Sequence, residues 1–369
     1  GYMARAAFIV DRAMGWAGLE GRCFVSLLSS YACAVPGIMA ARTIPDPRSR
    51  LATILVAPLM TCSARLPVYA LLIAAFVPDR TVMGVFNVQA LTFFGLYVLG
   101  SLSALLVAAI LKKGVLRGAT YPFYMELPPY RAPVPKVVFQ QVWRGVKAFL
   151  RKAGTIILLV SVVLWVLLTF PRAHPPAELG LDAGDARAWS MEQSYAAQAG
   201  KAIEPAIAPL GFDWRIGVGL VASFAAREVL VATMGQILAF SGEDDDLDGI
   251  AVRFQEATGP DGARAYGLPT ALSLLVFFVF ALQCVSTLAV MRRETGGLKW
   301  PAIAFTYTLA LAYAASFITH DEFENAGTTD ELLQTQTLTN ALVVSSGGVL
   351  LAGLGIGYWG IVLDGGASV

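Results

Sequence analysis

Eight apolar stretches punctuate the chain, and their lengths call for helices. Five carry no charge: residues 81–111, 153–170, 268–291, 300–319 and 332–363. Each is close to or beyond the ~20 residues that an α-helix needs to cross a hydrocarbon core. Three more are apolar but interrupted. The stretch 23–41 holds Pro36, 51–78 holds Pro58, Arg65 and Pro67, and 216–242 holds Arg227 and Glu228 near its middle. The apolar residues run on without alternating, which fits helices and not the two-residue period of a membrane barrel. Lipid offers the backbone no hydrogen-bonding partner, so this pattern predicts an all-α, polytopic transmembrane helical bundle.

Composition narrows the field further. Only 14% of the 369 residues are charged and 56% are apolar, against about 25% charged in soluble domains. A soluble globular enzyme, a disordered chain and a basic nucleic-acid binder are thereby excluded. The chain opens at Gly1 with no signal-peptide pattern behind it, and is expected to be part of a longer protein.

Net charge is +1, so the placement of charges carries more information than their sum. Residues 112–152 hold nine Lys or Arg against Glu126 alone, which predicts a cytoplasmic segment. Its Pro-rich centre cannot be helical throughout. Its end, 139–152, reads either as a basic amphipathic helix on the membrane surface or as a plain loop. Arg42, Arg48 and Arg50, and Arg292 with Arg293 and Lys299, also belong inside. The loop after 242 (Glu243, Asp244, Asp245, Asp246, Asp248) and the stretch 320–331, with five acids and no Lys or Arg, belong outside. These signs agree only if 216–242 enters and leaves from the outer side. A re-entrant hairpin with Arg227 and Glu228 near its tip is the expected form, tolerated where it lines a wet cavity.

Two regions echo each other weakly. Met60–Val68 lies over Leu282–Val290, matching Cys62 with Cys284, and Ala40–Arg42 lies over Ala225–Arg227. Opposed repeats with interrupted helices in matching places mark transporters, whose sites lie at the midplane. The predicted organisation is a first repeat over 1–111, a basic Pro-rich loop with a surface helix over 112–152, a second repeat over 153–320, and an acidic loop with a last transmembrane helix over 321–369.

The chemistry concentrates at the interruptions. Pro36 lacks an N–H, so the Ala32 carbonyl beside Cys33 is expected to lose its helical partner, and Gly37 to let the chain turn. Pro67 is expected to free the Ser63 carbonyl beside Cys62 in the same way. Two thiols next to unpaired carbonyls suit a dehydrated soft or borderline cation such as Fe(II), Cu(I) or Zn; a small buried hydrophobe is the plain reading of each cysteine alone. Cys284 lacks a proline partner, and Cys23 reads as structural. Glu228 reads as a metal or proton ligand, or as neutralised by Arg227. Arg65 is expected to hold the broken helix by bonding its carbonyls. Met39, Met60 and Met291 could add thioethers but more often fill cores. There is no Cys-x-x-Cys, phosphate-binding glycine loop, Gly-x-Ser-x-Gly or His-Glu-x-x-His sequence.

Several of these segments resemble the membrane domain of the FeoB ferrous iron transporters. They are Gly1–Phe8, Cys33-Ala34-Val35-Pro36, Ala57–Tyr69, Tyr124–Arg131, Ala226-Arg227-Glu228, and Cys284–Thr287 leading to Arg292–Thr295. The resemblance runs in order from residue 1 to about 320. It implies two Gate-type repeats in a bacterial inner membrane and Fe2+ as the transported ion, with no permanently bound cofactor. The path is implied to pass Cys33, Pro36, Cys62, Ser63, Arg65, Pro67, Glu228 and Cys284, with Cys33, Cys62 and Glu228 as metal ligands. It also implies a GTPase domain, expected from a segment or subunit supplied elsewhere. The expected partners are the lipid bilayer, Fe2+, that GTPase and a second copy in a homo-oligomer, with no nucleic acid. The competing readings are a nucleoside or other organic-solute carrier on the same Gate-type repeats, which needs Asn, Gln and Glu around a wide cavity, and a scaffold that has lost its motor. An intramembrane protease lacks an aspartate pair or a Ser/His dyad at span depth.

Overall fold

The computed structural model describes residues 2–79, 81–82, 86–117, 129–130, 133–171, 189–190, 192–224, 226–238, 247–257 and 265–325. The Tyr124–Arg131 motif, the acids 243–246, His174 and the apolar stretch 332–363 lie wholly or largely outside these residues.

The first half opens with α1 (Tyr2–Trp16), followed by the short helices α2 (Cys23–Ser30) and α3 (Ala34–Ala40). Then come α4 (Pro47–Val56) and α5 (Leu66–Phe76), and the long helix α6 (Val88–Lys113). Between α5 and α6 lies a two-residue antiparallel ladder, Thr81–Val82 with Phe86–Asn87. The helix expected over 81–111 therefore starts later. Asn87 caps it, its side chain accepting from the Gln89 N–H at 2.8 Å.

A linking helix pair follows, α7 (Pro135–Phe149) and α8 (Thr155–Thr169). The second half comprises α9 (Tyr195–Ile207), the short α10 (Trp214–Ala222) and α11 (Val229–Ile237), α12 (Leu247–Glu256), α13 (Leu268–Phe280), α14 (Val285–Thr295) and α15 (Lys299–Asn325).

The two halves repeat one plan. A preceding helix packs on a hairpin of two short helices: α1 against α2–α3, and α9 against α10–α11. An interrupted span follows, Pro47–Phe76 and then Leu268–Thr295, and a full span closes each half, α6 and α15. These four spans are long and apolar enough to cross a membrane. The stretch 23–41 is thus a hairpin and not a span. The stretch 268–291, although uncharged, is broken at 281–284. Cys62 and Cys284 each stand at the break of an interrupted span, whereas Arg42 lies past the end of α3 and Arg227 at the break between α10 and α11. Short matches in apolar sequence carry too little side-chain information to fix a register.

The hairpins open toward opposite ends. At one end Lys112 Nζ reaches Asp46 at 3.6 Å and Ser49 Oγ at 3.0 Å, and Arg42 grips Glu294. Gly18, turning at φ +71, brings the start of the first hairpin against Lys112. Both feet of α2–α3 therefore stand on the basic end. At the other end Gln255 bonds the Ala75 carbonyl and Tyr266 donates to Asp213 at 2.8 Å. Both feet of α10–α11 stand there, so the described residues from Trp214 to Ile237 start and end at the same end of the molecule. Gly37 is helical and does not turn the chain: a Cβ there would fall 1.9 Å from Ser30 Oγ, so its role is the close approach of α2 and α3.

The surface helix expected over 139–152 takes another form. Helix α7 begins at Pro135 and passes through a π-turn, Leu150–Gly154, straight into α8. No proline between 136 and 170 removes a backbone N–H, so nothing stops the helix. Val138, Phe139, Trp143, Leu158 and Trp165 stand exposed along it, a surface suited to lipid.

Asp46 gives the basic end a pH dependence. Burial raises its carboxyl, but bonds from Ser49 and Arg48 and the charge of Lys112 outweigh this and hold it below its ordinary 3.8. A depressed value means stability that is present above about pH 4 and lost as pH falls through the folded value. The stability advantage of the protein over its Asp46→Asn variant is expected to shrink on acidification below pH 4, read by thermal unfolding in detergent.

Candidate functional site

Four helix breaks meet at one cavity of about 230 Å³. They lie between α2 and α3, α4 and α5, α10 and α11, and α13 and α14. Its walls include Cys33, Cys62, Ser63, Arg227, Glu228 and Cys284. Each thiol and the carboxylate hold the same local position, the residue that precedes a half-helix. Cys33 precedes α3 at φ −161, ψ 139, and Cys284 precedes α14 at φ −111, ψ 108. Cys62 precedes the 3-10 turn Ser63–Arg65 that leads into α5, at φ −93, ψ 163. Glu228 precedes α11. A side chain at this position projects beyond the helix end, where the first N–H groups lack intrahelical acceptors. No cysteine side chain here caps its own helix.

The prolines act differently from expectation. Pro36 is the third residue of α3 and Pro67 the second of α5. In a first turn the missing N–H is one that would go unpaired anyway. Neither ring lines the cavity, and Pro36 is exposed. The Ala32 carbonyl is taken by the Ser63 hydroxyl at 2.9 Å, which ties the first two breaks together. The Ser63 carbonyl, expected to be free, accepts the Leu66 N–H.

Two buried arginines close the C-terminal ends of the preceding half-helices. Arg65, 0% exposed, donates to the carbonyls of Pro58 (2.9 Å), Met60 (3.1 Å) and Leu59 (3.2 Å). Arg227 donates through Nη2 to the Ala281 carbonyl at 2.9 Å. A cation at a helix C-terminus is favoured by the macrodipole, and each also satisfies carbonyls that the break orphans. Arg227 and Glu228 do not form an ion pair with each other, so the carboxylate stands exposed to the cavity.

Cys62, Cys284 and Arg227 line the same cavity as Cys33. Among the described residues no three His, Cys, Asp or Glu side chains are grouped tightly enough to make a ready coordination shell. Met60 lines the cavity, whereas Met39 and Met291 do not. Cys23 is buried at the start of α2, away from these walls. Cys284 lines the cavity although no proline marks its break, and Ser286 and Thr287, outside the residues the sequence pointed to, line it too. The Cys62–Cys284 echo, extended downstream, was the signal for all three.

The Gate family, described as nucleoside recognition, matches residues 1–76 and 150–298, and the ferrous iron transport protein B C terminus matches 93–144. A relative from Leptospira interrogans serogroup Icterohaemorrhagiae serovar copenhageni, named Fe(2+) transporter FeoB, is 46% identical over 318 residues, 86% of this chain and 45% of the relative. A Campylobacter jejuni protein of the same name is 36% identical over 322 residues, 86% of this chain and 49% of its own. A Porphyromonas gingivalis protein, named Fe(2+) transport protein A/Fe(2+) transporter FeoB fusion protein, is 41% identical over 344 residues, 86% of this chain and 40% of its own. The chain thus spans about half the length, or less, of these curated relatives. No solved structure matches it.

Proposed function

The chain belongs to the FeoB ferrous iron transporter family, and from that premise we propose that it carries Fe(II) across the bacterial inner membrane into the cytoplasm. One observation supports this above the others: Cys33, Cys62, Cys284 and Glu228 each stand at the head of a half-helix around one cavity. Thiolates prefer Fe(II) over Mg2+ or Ca2+, and a carboxylate adds a hard anionic donor.

In this reading Fe(II) sheds water at the cavity and is held by Cys33 and Cys62 with Glu228 assisting from the second repeat. The hairpins, opening to opposite ends, move against the interrupted spans to release it at the basic end, which is the cytoplasmic side by its charge. A membrane potential contributes ~2.3 kcal/mol per charge per 100 mV, twice that for a divalent cation. A GTPase module supplied by another segment or subunit would gate the cycle.

A nucleoside or organic solute fits less well. Among the described residues no Asn or Gln side chain lines the cavity, and Gln89 is engaged away from it by the Val77 carbonyl at 2.9 Å. Proteoliposomes holding the chain together with a GTPase module are expected to accumulate radiolabelled Fe(II) well above empty liposomes and to ignore labelled nucleosides. Nucleoside uptake without Fe(II) uptake would reverse the assignment.

A further inference from the structure

Helix α7 is the element that the fold leaves bare. Every described side chain from Pro135 to Lys147 is exposed, and among the described residues its substantial packing is on the π-turn that follows it. The exposure is patterned. Val138, Val142 and Val146 recur every four residues, and beside them Phe139 stacks on Trp143 with ring centres 6.4 Å apart. Lys136, Gln140, Arg144 and Lys147 recur every three or four residues and make a second stripe. Arg151, exposed in the π-turn, adds a fourth cation. Among the described residues none of these four cations forms an ion pair, and no acid occurs between residues 132 and 177.

Position supplies the second half of the inference. The π-turn and α8 run from Leu150 to Thr169, which matches the ~20 residues that fill a hydrocarbon core. Leu158, Leu159, Val162 and Trp165 stand exposed along α8, a surface suited to lipid. Helix α7 therefore starts where the hydrocarbon ends. A straight continuation into water would leave its valines, Phe139 and Trp143 wet, whereas a π-turn is a place where a helix axis bends. We propose that α7 lies in the headgroup layer and that Lys136, Arg144, Lys147 and Arg151 bind anionic phospholipid headgroups. Charge complementarity selects this occupant: four unpaired cations with no acid among them, on a helix whose apolar stripe sinks between headgroups and acyl chains. The stripe runs on through Leu150 toward Leu158, so one lipid surface covers both helices. Headgroup binding is independent of what the cavity carries.

The test uses the full chain in nanodiscs of phosphatidylglycerol or of phosphatidylcholine, each with lipids brominated on the upper acyl chain. Quenching of Trp143 is taken as the difference between the protein and its Trp143→Phe variant. It is expected to be several-fold stronger in phosphatidylglycerol and to fall to the phosphatidylcholine level at high salt, because exposed charges are screened. A variant combining Lys136→Gln, Arg144→Gln, Lys147→Gln and Arg151→Gln should show the weak quenching in both lipids with an unchanged Tm. If that variant fails to fold, the lipid and salt comparisons on the protein itself decide. Trp143 left unquenched in phosphatidylglycerol would mean that protein or water covers α7, and would overturn the proposal. Equal quenching in the two lipids, insensitive to salt, would overturn it as well, since the cations would then select nothing.

Discussion

Changing Cys33, Cys62 and Cys284 together to serine is expected to reduce Fe(II) uptake by at least tenfold while leaving the fold intact. Serine is nearly isosteric with cysteine and is itself a favoured residue at the head of a helix, so the half-helices keep their first turns. What changes is the donor, from a soft sulfur to a neutral hydroxyl that Fe(II) has little reason to prefer over water. The single variants should rank by how far each thiol reaches into the shared space, and Cys284→Ser should not be the silent one. The measurement is initial uptake rate in proteoliposomes, with the Tm in detergent as the control for folding. A triple variant that transports at the original rate would remove sulfur from the path. Glu228→Gln tests the fourth donor, because an amide keeps the shape and removes the charge.

The second large effect concerns stability. Replacing Arg65 by Met is expected to destabilise the protein by roughly 3–5 kcal/mol, since each buried carbonyl left without a donor costs about 1–3 kcal/mol. Pro58, Leu59 and Met60 would then present three carbonyls to an apolar interior with no donor. Arg65→Lys should rescue only part of this, because a single ammonium cannot spread across three acceptors as a planar guanidinium does. Loss of folded protein in detergent, read by size exclusion and Tm, checks both variants. An Arg65→Met variant within 1 kcal/mol of the parent would show that the break is held by packing alone.

The helical class could be read from the chain because it follows from one strong quantity, the cost of burying charge and bare backbone in lipid. Arg42, Lys112 and Arg292 share one end, as charge counting required. The interruptions were legible where the residue itself is awkward, as at Arg227 and Glu228. They were not legible at Cys284, where an uncharged stretch with no proline near the break opens where Arg227 from another hairpin takes up the Ala281 carbonyl. That is a tertiary cause, and no local pattern encodes it. Pro36 and Pro67 were read as breakers in mid-helix, yet each sits where a helix begins, since the same ring is pre-organised for a first turn. Gly37 suggested a turn, while its actual constraint comes from Ser30, seven residues upstream on the facing helix.

The opposed openings of the two hairpins carry a mechanical corollary. If each half can take up the packing now held by the other, the exchange yields a molecule inverted across the bilayer plane, with the ends of the path swapped. The Arg42–Glu294 clasp joins the foot of the first hairpin to the tail of the second half's interrupted span. It would have to part in that exchange, so one exposed ion pair sets a toll on the switch between the two faces.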